Sequence, residues 1–600
     1  MSLKSTPEHL MSNAQNYGND PAVSWKEGGE WVTMNWSQYH DYTMDVAKSL
    51  IAMGFREGEN LAIYSYNRVE WFSAYIAANC CGGAASGIYQ TSSPEEVKWV
   101  VTASDSRFIF VGNNPLDGGD PSKMCSTRLL SVLDECGDIE AVILMNGIDM
   151  DHPKAISWAD FMAKGSGVPD SEVTDRIGRI QASDTASLIW TSGTTGRSKG
   201  CVLSHGNFDV EIDAIHEIER FGPGQGYISY LPASHIFEQV AAGRMHIHDA
   251  MHMSICASPL QAIDYAKEAH PSLMIGVPRI WESVYSNLKA TLDEKAVIRI
   301  GLKLPVLGGV LRNVIKKKVG LDQCVWAITG AAAIDPEVLK LMHYLDIPLY
   351  EGYGMSEQCC GVTIGSPRFG HKYGSVGKCF VGEIRIDQPD ENGEGEIQSR
   401  GPNVMSGYYN EPELTAEAFT ADGWLKTGDL GRLDEEGFLY ITGRIKELLN
   451  NQSGELIPPI PTETDCKALP IVGQCVLVGD NRKYCTALIT LDVAAILRDR
   501  FGLDGATQVP KNPVEQVTKL NELGAELSDF TESEEVRAEI QAHIDVINKN
   551  HKSPARIRKF TILPRDLSID YNELTPTLKL KRPVVSSNWA DEIEAMYADA

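Results

Sequence analysis

The chain has 600 residues, of which 43% are apolar and 22% charged, and a formal net charge of −27. That length gives several core-bearing units, the acidity argues against a nucleic-acid partner, and no apolar run is long enough to span a bilayer as a helix. Thirteen cysteines without repeated CxxC spacing, behind an N-terminus with no apolar signal core and ahead of a C-terminus with no targeting tripeptide, predict reduced thiols in a cytoplasmic protein.

In chain order, Ala22-Val23-Ser24-Trp25 and Trp31-Val32-Thr33-Met34 flank Gly28-Gly29 and predict a hairpin. Ser37 is a candidate cap for a helix whose apolar face carries Tyr42, Val46, Leu50 and Ile51. Leu61-Ala62-Ile63-Tyr64 reads as a strand, followed by an apolar helix toward Cys80. Phe108 to Val111, Ala141 to Leu144, Ser187 to Trp190 and Val325 to Ile328 are further strand-like runs among helical stretches. This alternation predicts an α/β fold with largely parallel sheets. Between about 380 and 443, runs such as Gly395 to Gln398 and Phe438 to Ile441 sit among glycines and predict a small β subdomain. Beyond Gly443-Arg444 an α+β unit is expected. It has a hairpin from Cys475 to Val478 and Ala487 to Thr490, and a helix through Ile540, Ile544 and Ile547 whose capping box is Thr531 with Glu534.

The densest chemical signal is Thr191-Ser192-Gly193-Thr194-Thr195-Gly196-Arg197-Ser198-Lys199-Gly200, directly after an apolar run. Glycines let backbone approach phosphate oxygens, hydroxyls and N–H groups donate to them, and a lysine offsets their charge. The spacing is not that of Walker A. A strand leading into a polyphosphate loop is the expectation.

The loop resembles that of the adenylate-forming enzymes, and further segments resemble the same superfamily in its usual order. In Tyr230-Leu231-Pro232-Ala233-Ser234-His235-Ile236-Phe237-Glu238, His235 would border the acyl carboxylate. Gly330-Ala331 resembles the turn lining the adenine pocket. Tyr350-Glu351-Gly352-Tyr353-Gly354-Met355-Ser356-Glu357 resembles the adenine and magnesium motif, with Tyr353 stacking on the base, Ser356 donating to phosphate and Glu357 holding Mg²⁺. Asp429 in Trp424-Leu425-Lys426-Thr427-Gly428-Asp429 would accept from the ribose hydroxyls, supported by Arg444. Lys446 falls at the family's interdomain hinge. Leu574-Thr575-Pro576-Thr577-Leu578-Lys579-Leu580-Lys581 resembles the C-terminal lysine motif, with Lys579 as the catalytic lysine and Lys581 as the rival.

Gly87 to Glu95, Gly276 to Glu282 and Pro458 to Glu463 resemble long-chain acyl-CoA synthetases, especially the bubblegum branch. Three departures stand out: Ser198 where the family often has Pro, Ser453 where Gly is usual, and a shorter stretch between Trp281 and Leu321. The resemblance implies a large N-terminal domain over 1–443, made of two α/β subdomains and the small β subdomain. A small mobile α+β C-terminal domain over 444–600 would carry Lys579. The implied reaction is ATP- and Mg²⁺-dependent activation of a long-chain fatty acid through an acyl-adenylate, then transfer to coenzyme A. Medium-chain or aryl acids, an acceptor other than coenzyme A, and a non-catalytic acyl- or nucleotide-binding protein are the alternatives. The segment 302–318, with Lys303, Arg312, Lys316, Lys317 and Lys318 among leucines and valines, reads either as a contact with an intracellular membrane surface or as a solvated helix face.

Overall fold

The computed structural model describes residues 4–598 apart from 115–123, 192–196, 295, 454, 504, 506–507, 511, 550–554, 569–570 and 576–578. The opening hairpin pairs Pro21–Glu27 with Glu30–Asn35. Its two-residue turn holds Gly28 and Gly29 at φ +58° and +93°, which side chains rarely tolerate together and which matches the twist of the flanking strands. The helix that follows, Trp36–Ala52, is capped two positions earlier than expected. Asn35, not Ser37, accepts from the Gln38 amide at 2.8 Å, and Gln38 returns a bond to the Asn35 amide. A short amide side chain at the strand exit reaches the free N–H of the first turn, whereas Ser37 already lies inside the helix. Val46 and Leu50 are buried, as that face requires.

Two large sheets form the body. One orders seven strands as Ala155–Ser157, Ala141–Leu144, Phe108–Gly112, Asn60–Ser65, Ala84–Ile88, Thr185–Thr191 and Lys199–Ser204; all neighbours are parallel except the last pair. The other has nine strands, and its centre is the parallel run Leu349–Tyr353, Trp326–Thr329, Leu273–Gly276, Gly226–Ser229 and His252–Ile255. Near-continuous apolar strands covered by helices on both faces are what a parallel sheet demands. The α/β reading is therefore observed.

The glycine-rich stretch folds into a four-stranded antiparallel sheet of Glu383–Asp387, Gly395–Arg400, Leu425–Leu433 and Leu439–Arg444. Beyond it, Val472–Val478 and Cys485–Leu491 make the expected hairpin, and Ile557–Ile562 adds a parallel third strand. This last sheet has its own apolar core, which includes Cys475, Ile489, Ile540, Ile544 and Phe560. The helix Glu534–Ile547 is capped by Ser533, whose side chain accepts from the Val536 amide; Thr531 instead closes the short helix Ser528–Thr531. Ser533 stands directly before the first helical residue, where its oxygen reaches the orphan amide. None of the thirteen cysteines is in a disulfide, and twelve are buried. Burial pushes the Cys80 and Cys324 thiols up to about 12, so they behave as small apolar residues.

Candidate functional site

The glycine- and hydroxyl-rich loop closes an antiparallel pair in which Thr191 faces Lys199. Residues 192–196, and with them Ser192, Gly193, Thr194, Thr195 and Gly196, lie outside the described residues. The downstream arm is braced by helix Pro94–Ala103. The Trp99 indole donates to the Ser198 carbonyl at 2.8 Å, the Arg197 guanidinium lies over the Trp99 ring at 4.6 Å, and the Ser198 hydroxyl donates to Glu96. Serine at 198 thus makes a bond that proline could not. The Lys199 ammonium stands 4.9 Å from the centre of the Tyr408 ring. The Tyr408 hydroxyl donates to Glu357 Oε1 at 2.9 Å.

Glu357 begins at the end of strand Leu349–Tyr353, in the one-turn helix Ser356–Gln358. The turn between them is tight. A Cβ on Gly354 would sit 1.9 Å from the Cys360 carbonyl oxygen, so only glycine fits. Glu357 is buried, with one oxygen engaged by Tyr408 and no donor to the other among the described residues. A single carboxylate with a spare oxygen fits Mg²⁺, which takes one or two carboxylates and completes its shell with waters and substrate phosphates.

Asp429 and Arg444 are directly opposed on adjacent strands, which explains their fifteen-residue separation in sequence. Arg444 Nε donates to Asp429 Oδ1 at 2.5 Å, and the Tyr353 hydroxyl donates to Asp429 Oδ2 at 2.8 Å. Asp429 is 4% exposed. Each carboxylate oxygen keeps a second acceptor site, so a vicinal diol can still be received. Behind Tyr353, Gly330 packs against Gly352 and Phe237: a Cβ at 330 would meet the Gly352 carbonyl at 3.1 Å and the Phe237 ring at 3.3 Å. Ala331 follows at φ +70°, a left-handed backbone costing a non-glycine residue about 1 kcal/mol or more. Such backbones cluster at functional sites.

His235 caps helix Ile236–Val240, its Nδ1 accepting from the Phe237 amide at 3.2 Å. Its ring stacks on Phe237 and meets Tyr89 edge-on. Burial, then the positive charge of Lys579, lowers its pKa to about 3, so the ring is neutral and carries its proton on Nε2.

Lys579 reaches this cleft from the far end of the chain. The Thr575 amide donates to the Lys579 carbonyl at 2.7 Å, and the Lys579 amide donates to Thr575 Oγ1 at 3.0 Å. These bonds lie beside the isolated bridge Leu574↔Leu580. Desolvation by surrounding protein, then Arg444, holds its ammonium pKa below 10.5, against Asp429, Glu357 and Glu447. The residue as a whole is exposed to solvent, so it stands at the open side of this group of residues. The same charges are not near Lys581, whose ammonium donates to Asn572 Oδ1 and feels Glu96. Arg582 forks onto Glu463 at 2.7 Å twice and reaches Glu447 at 3.3 Å, tying the stretch just after Lys579 to the turn Ile445–Glu447 that holds Lys446.

An apolar cavity of about 40 Å³ opens behind Phe237 and Tyr353 and runs between Val240, Met245, Ile275 and Trp326. It has room for about one water-sized group. Glu211 also lines it, 1% exposed, with Oε1 accepting from the Gly361 amide at 3.0 Å and no partner for Oε2 among the described residues. Sequence reasoning missed Tyr408, Glu96, Trp99 and Glu211. Each is an ordinary residue outside any motif, and only the folded chain brings it to the site.

A family model described as AMP-binding enzyme matches residues 10–409. The long-chain-fatty-acid–CoA ligase ACSBG2 of Gallus gallus is 33% identical, over 100% of this chain and 82% of that protein. The ACSBG2 ligase of Homo sapiens is also 33% identical, over 98% of this chain and 92% of that protein. Among solved structures, the adenylation domain of a carboxylate reductase from Mycobacterium chelonae superposes with a TM-score of 0.74 at 19% identity, covering 99% of this chain and 91% of that one. At that identity the likeness concerns the fold.

Proposed function

We propose, on the premise that the chain belongs to the AMP-binding enzyme family, that it is a long-chain fatty acid–CoA ligase acting in the cytoplasm through an acyl-adenylate. The observation that carries the reading is the convergence on one cleft of Glu357, Asp429 with Arg444, His235 and Lys579, drawn from four distant stretches of the chain. The names of the curated relatives support the acyl class and the acceptor.

A carboxylate resists nucleophiles because its leaving group would be oxide. In the proposed first step the acyl carboxylate oxygen attacks the α-phosphorus of ATP, and pyrophosphate leaves. Charge grows on the phosphate oxygens, so positioned cations and donors are the main catalytic resource. Lys579 bridges the carboxylate and the α-phosphate. The loop of Thr191 to Gly196, with Lys199, cradles the β- and γ-phosphates. Tyr353, held by its bond to Asp429, offers a ring to adenine beside Gly330, Ala331, Gly352, Gly354 and Met355, and Ser356 donates to phosphate. Asp429 receives the ribose diol, and Arg444 holds that carboxylate in place through its Nε–H bond to Oδ1. Neutral His235 donates from Nε2 toward the acyl carboxylate. Mg²⁺ held at Glu357 supplies neutralisation of phosphate charge.

In the second step the thiol of coenzyme A attacks the acyl carbonyl, the C–O bond to AMP breaks, and acyl-CoA forms. Turning the part of the chain beyond Lys446 about that residue withdraws Lys579, leaves Arg444 on Asp429 in the four-stranded sheet, and clears a path for the thiol. The acyl chain takes the cavity beside Tyr353, whose walls must part; Met245 is suited to that by its unbranched, flexible side chain.

The test is release of pyrophosphate and AMP by the purified protein with ATP, Mg²⁺ and acids of graded chain length, with and without coenzyme A. Turnover dependent on a long acid, with thioester only when coenzyme A is present, is expected. Adenylate that never becomes thioester would move the reading to another acceptor. A folded, nucleotide-binding protein with no turnover on any acid would remove it.

A further inference from the structure

The connection from strand Leu273–Gly276 to its sheet neighbour Trp326–Thr329 carries three helices, the last two being Ala296–Leu302 and Pro305–Lys318. Among the described residues seventeen large apolar side chains are exposed, and six of them lie in the fifteen positions from 300 to 314. They are Ile300, Leu304, Val306, Leu307, Val310 and Val314, with Val306 83% exposed. At 100° per residue, Val306, Leu307, Val310, Val314 and Lys317 share one face of Pro305–Lys318. The opposite face is anchored: Ile315 and Gly308 are buried, and Arg312 donates from Nε to the Tyr344 carbonyl at 2.9 Å. The outward stripe is thus a fixed surface, held by its own back.

Charge selects the occupant. From 299 to 318 the chain has Arg299, Lys303, Arg312, Lys316, Lys317 and Lys318 and no acidic residue, within a protein of net charge −27. Lys303 stands at one end of the apolar stripe and Lys316 to Lys318 at the other. We infer that this helix lies flat on an anionic lipid bilayer, its valines and leucines in the interface and its lysines among acidic headgroups. The rest of the acidic surface is repelled by the same membrane, so the attraction also orients the molecule. The two strands joined by this connection line the apolar cavity through Leu273, Ile275, Trp326 and Ile328. The docked helix therefore belongs to the connection between two strands of the wall proposed to receive the acyl chain. This last point rests on the proposed function; the docking itself does not.

The experiment is co-sedimentation of the full chain with phosphatidylcholine vesicles, with and without phosphatidylserine. Binding to the phosphatidylserine vesicles alone, weakening as salt is raised, is expected. Reversing three charges in K316E/K317E/K318E should cut partitioning by on the order of a hundredfold. V306D/V310D should abolish it, while both variants keep wild-type thermal unfolding because Val306, Val310, Lys317 and Lys318 are exposed and Lys316 is only partly covered. No sedimentation with anionic vesicles, or sedimentation unchanged in V306D/V310D, overturns the proposal. So does a dimer in size-exclusion chromatography with light scattering that V306D/V310D dissolves in a protein that ignores vesicles, since a second copy would then be the occupant. Vesicle binding by a protein that activates no acid would leave the docking intact and defeat only the ligase reading.

Discussion

At the scale of single residues, two groups have opposite electrostatic problems. In the proposed mechanism Lys579 is the cation that meets the negative charge developing on the substrate, and its ammonium feels burial and Arg444 against Asp429, Glu357 and Glu447. Lys579→Ala should slow adenylation by roughly 10²–10³, the cost of losing one positioned transition-state donor. Thioester formation from supplied acyl-adenylate should survive, because that step does not use the amine. Equal loss in both half-reactions would refute the role. Glu211 faces the reverse difficulty, a carboxyl in an apolar wall. Burial raises its pKa well above 4.5, against the Gly361 amide that favours the anion. The folded state therefore holds a proton that the unfolded chain releases. Stability from this group is complete below the unfolded pKa and falls as pH rises toward the folded one. Glu211→Gln removes the titration while keeping an acceptor for Gly361. The melting temperature of Glu211→Gln relative to wild type should accordingly rise between about pH 4 and pH 8. A difference that stays flat across that range would mean the carboxyl finds a partner that keeps it charged.

At the scale of elements, what was legible followed from local chemistry. The opening hairpin was readable because two glycines in a row leave few alternatives to a tight turn, and the buried strands because runs such as Ala141 to Leu144 have no polar face to give to water. Caps were misplaced by two positions, at Ser37 and Thr531, because several hydroxyl and amide residues stood close together and only the backbone path decides which reaches the free N–H. The second strand of the phosphate-loop pair, Lys199–Ser204, was hidden beneath the loop motif it completes. Of the site, the motif residues were recognisable by resemblance. The partners that hold them were not: Tyr408 meets Lys199 and Glu357 across more than fifty positions of chain, and nothing in its neighbourhood marks it. The pairing of Asp429 with Arg444 was suggested by family order, but its physical basis is a cross-strand register that spacing alone does not contain.

At the scale of the whole molecule, the core of the large sheets and the core beneath Val472–Val478 and Cys485–Leu491 are separate apolar clusters. Between them stand charged and polar side chains, among them Glu282 facing Lys467 and Asp566 facing Arg279. Partly hydrated polar contacts of this kind couple two bodies weakly. Calorimetry on the free protein should therefore resolve more than one unfolding step, with a van't Hoff enthalpy below the calorimetric one. A non-hydrolysable acyl-adenylate mimic would be gripped by Asp429 and Arg444 from one side and Lys579 from the other. At about 100 times its Kd it should add about 2.7 kcal/mol to the states that bind it and draw the steps together, because the mimic is lost when either body unfolds. Lys579→Ala should retain the upward shift of the large body's transition but lose most of the merging, since the remaining grip lies on one side. A single transition in the free protein, unaltered in width by the mimic, would mean that the two cores unfold as one.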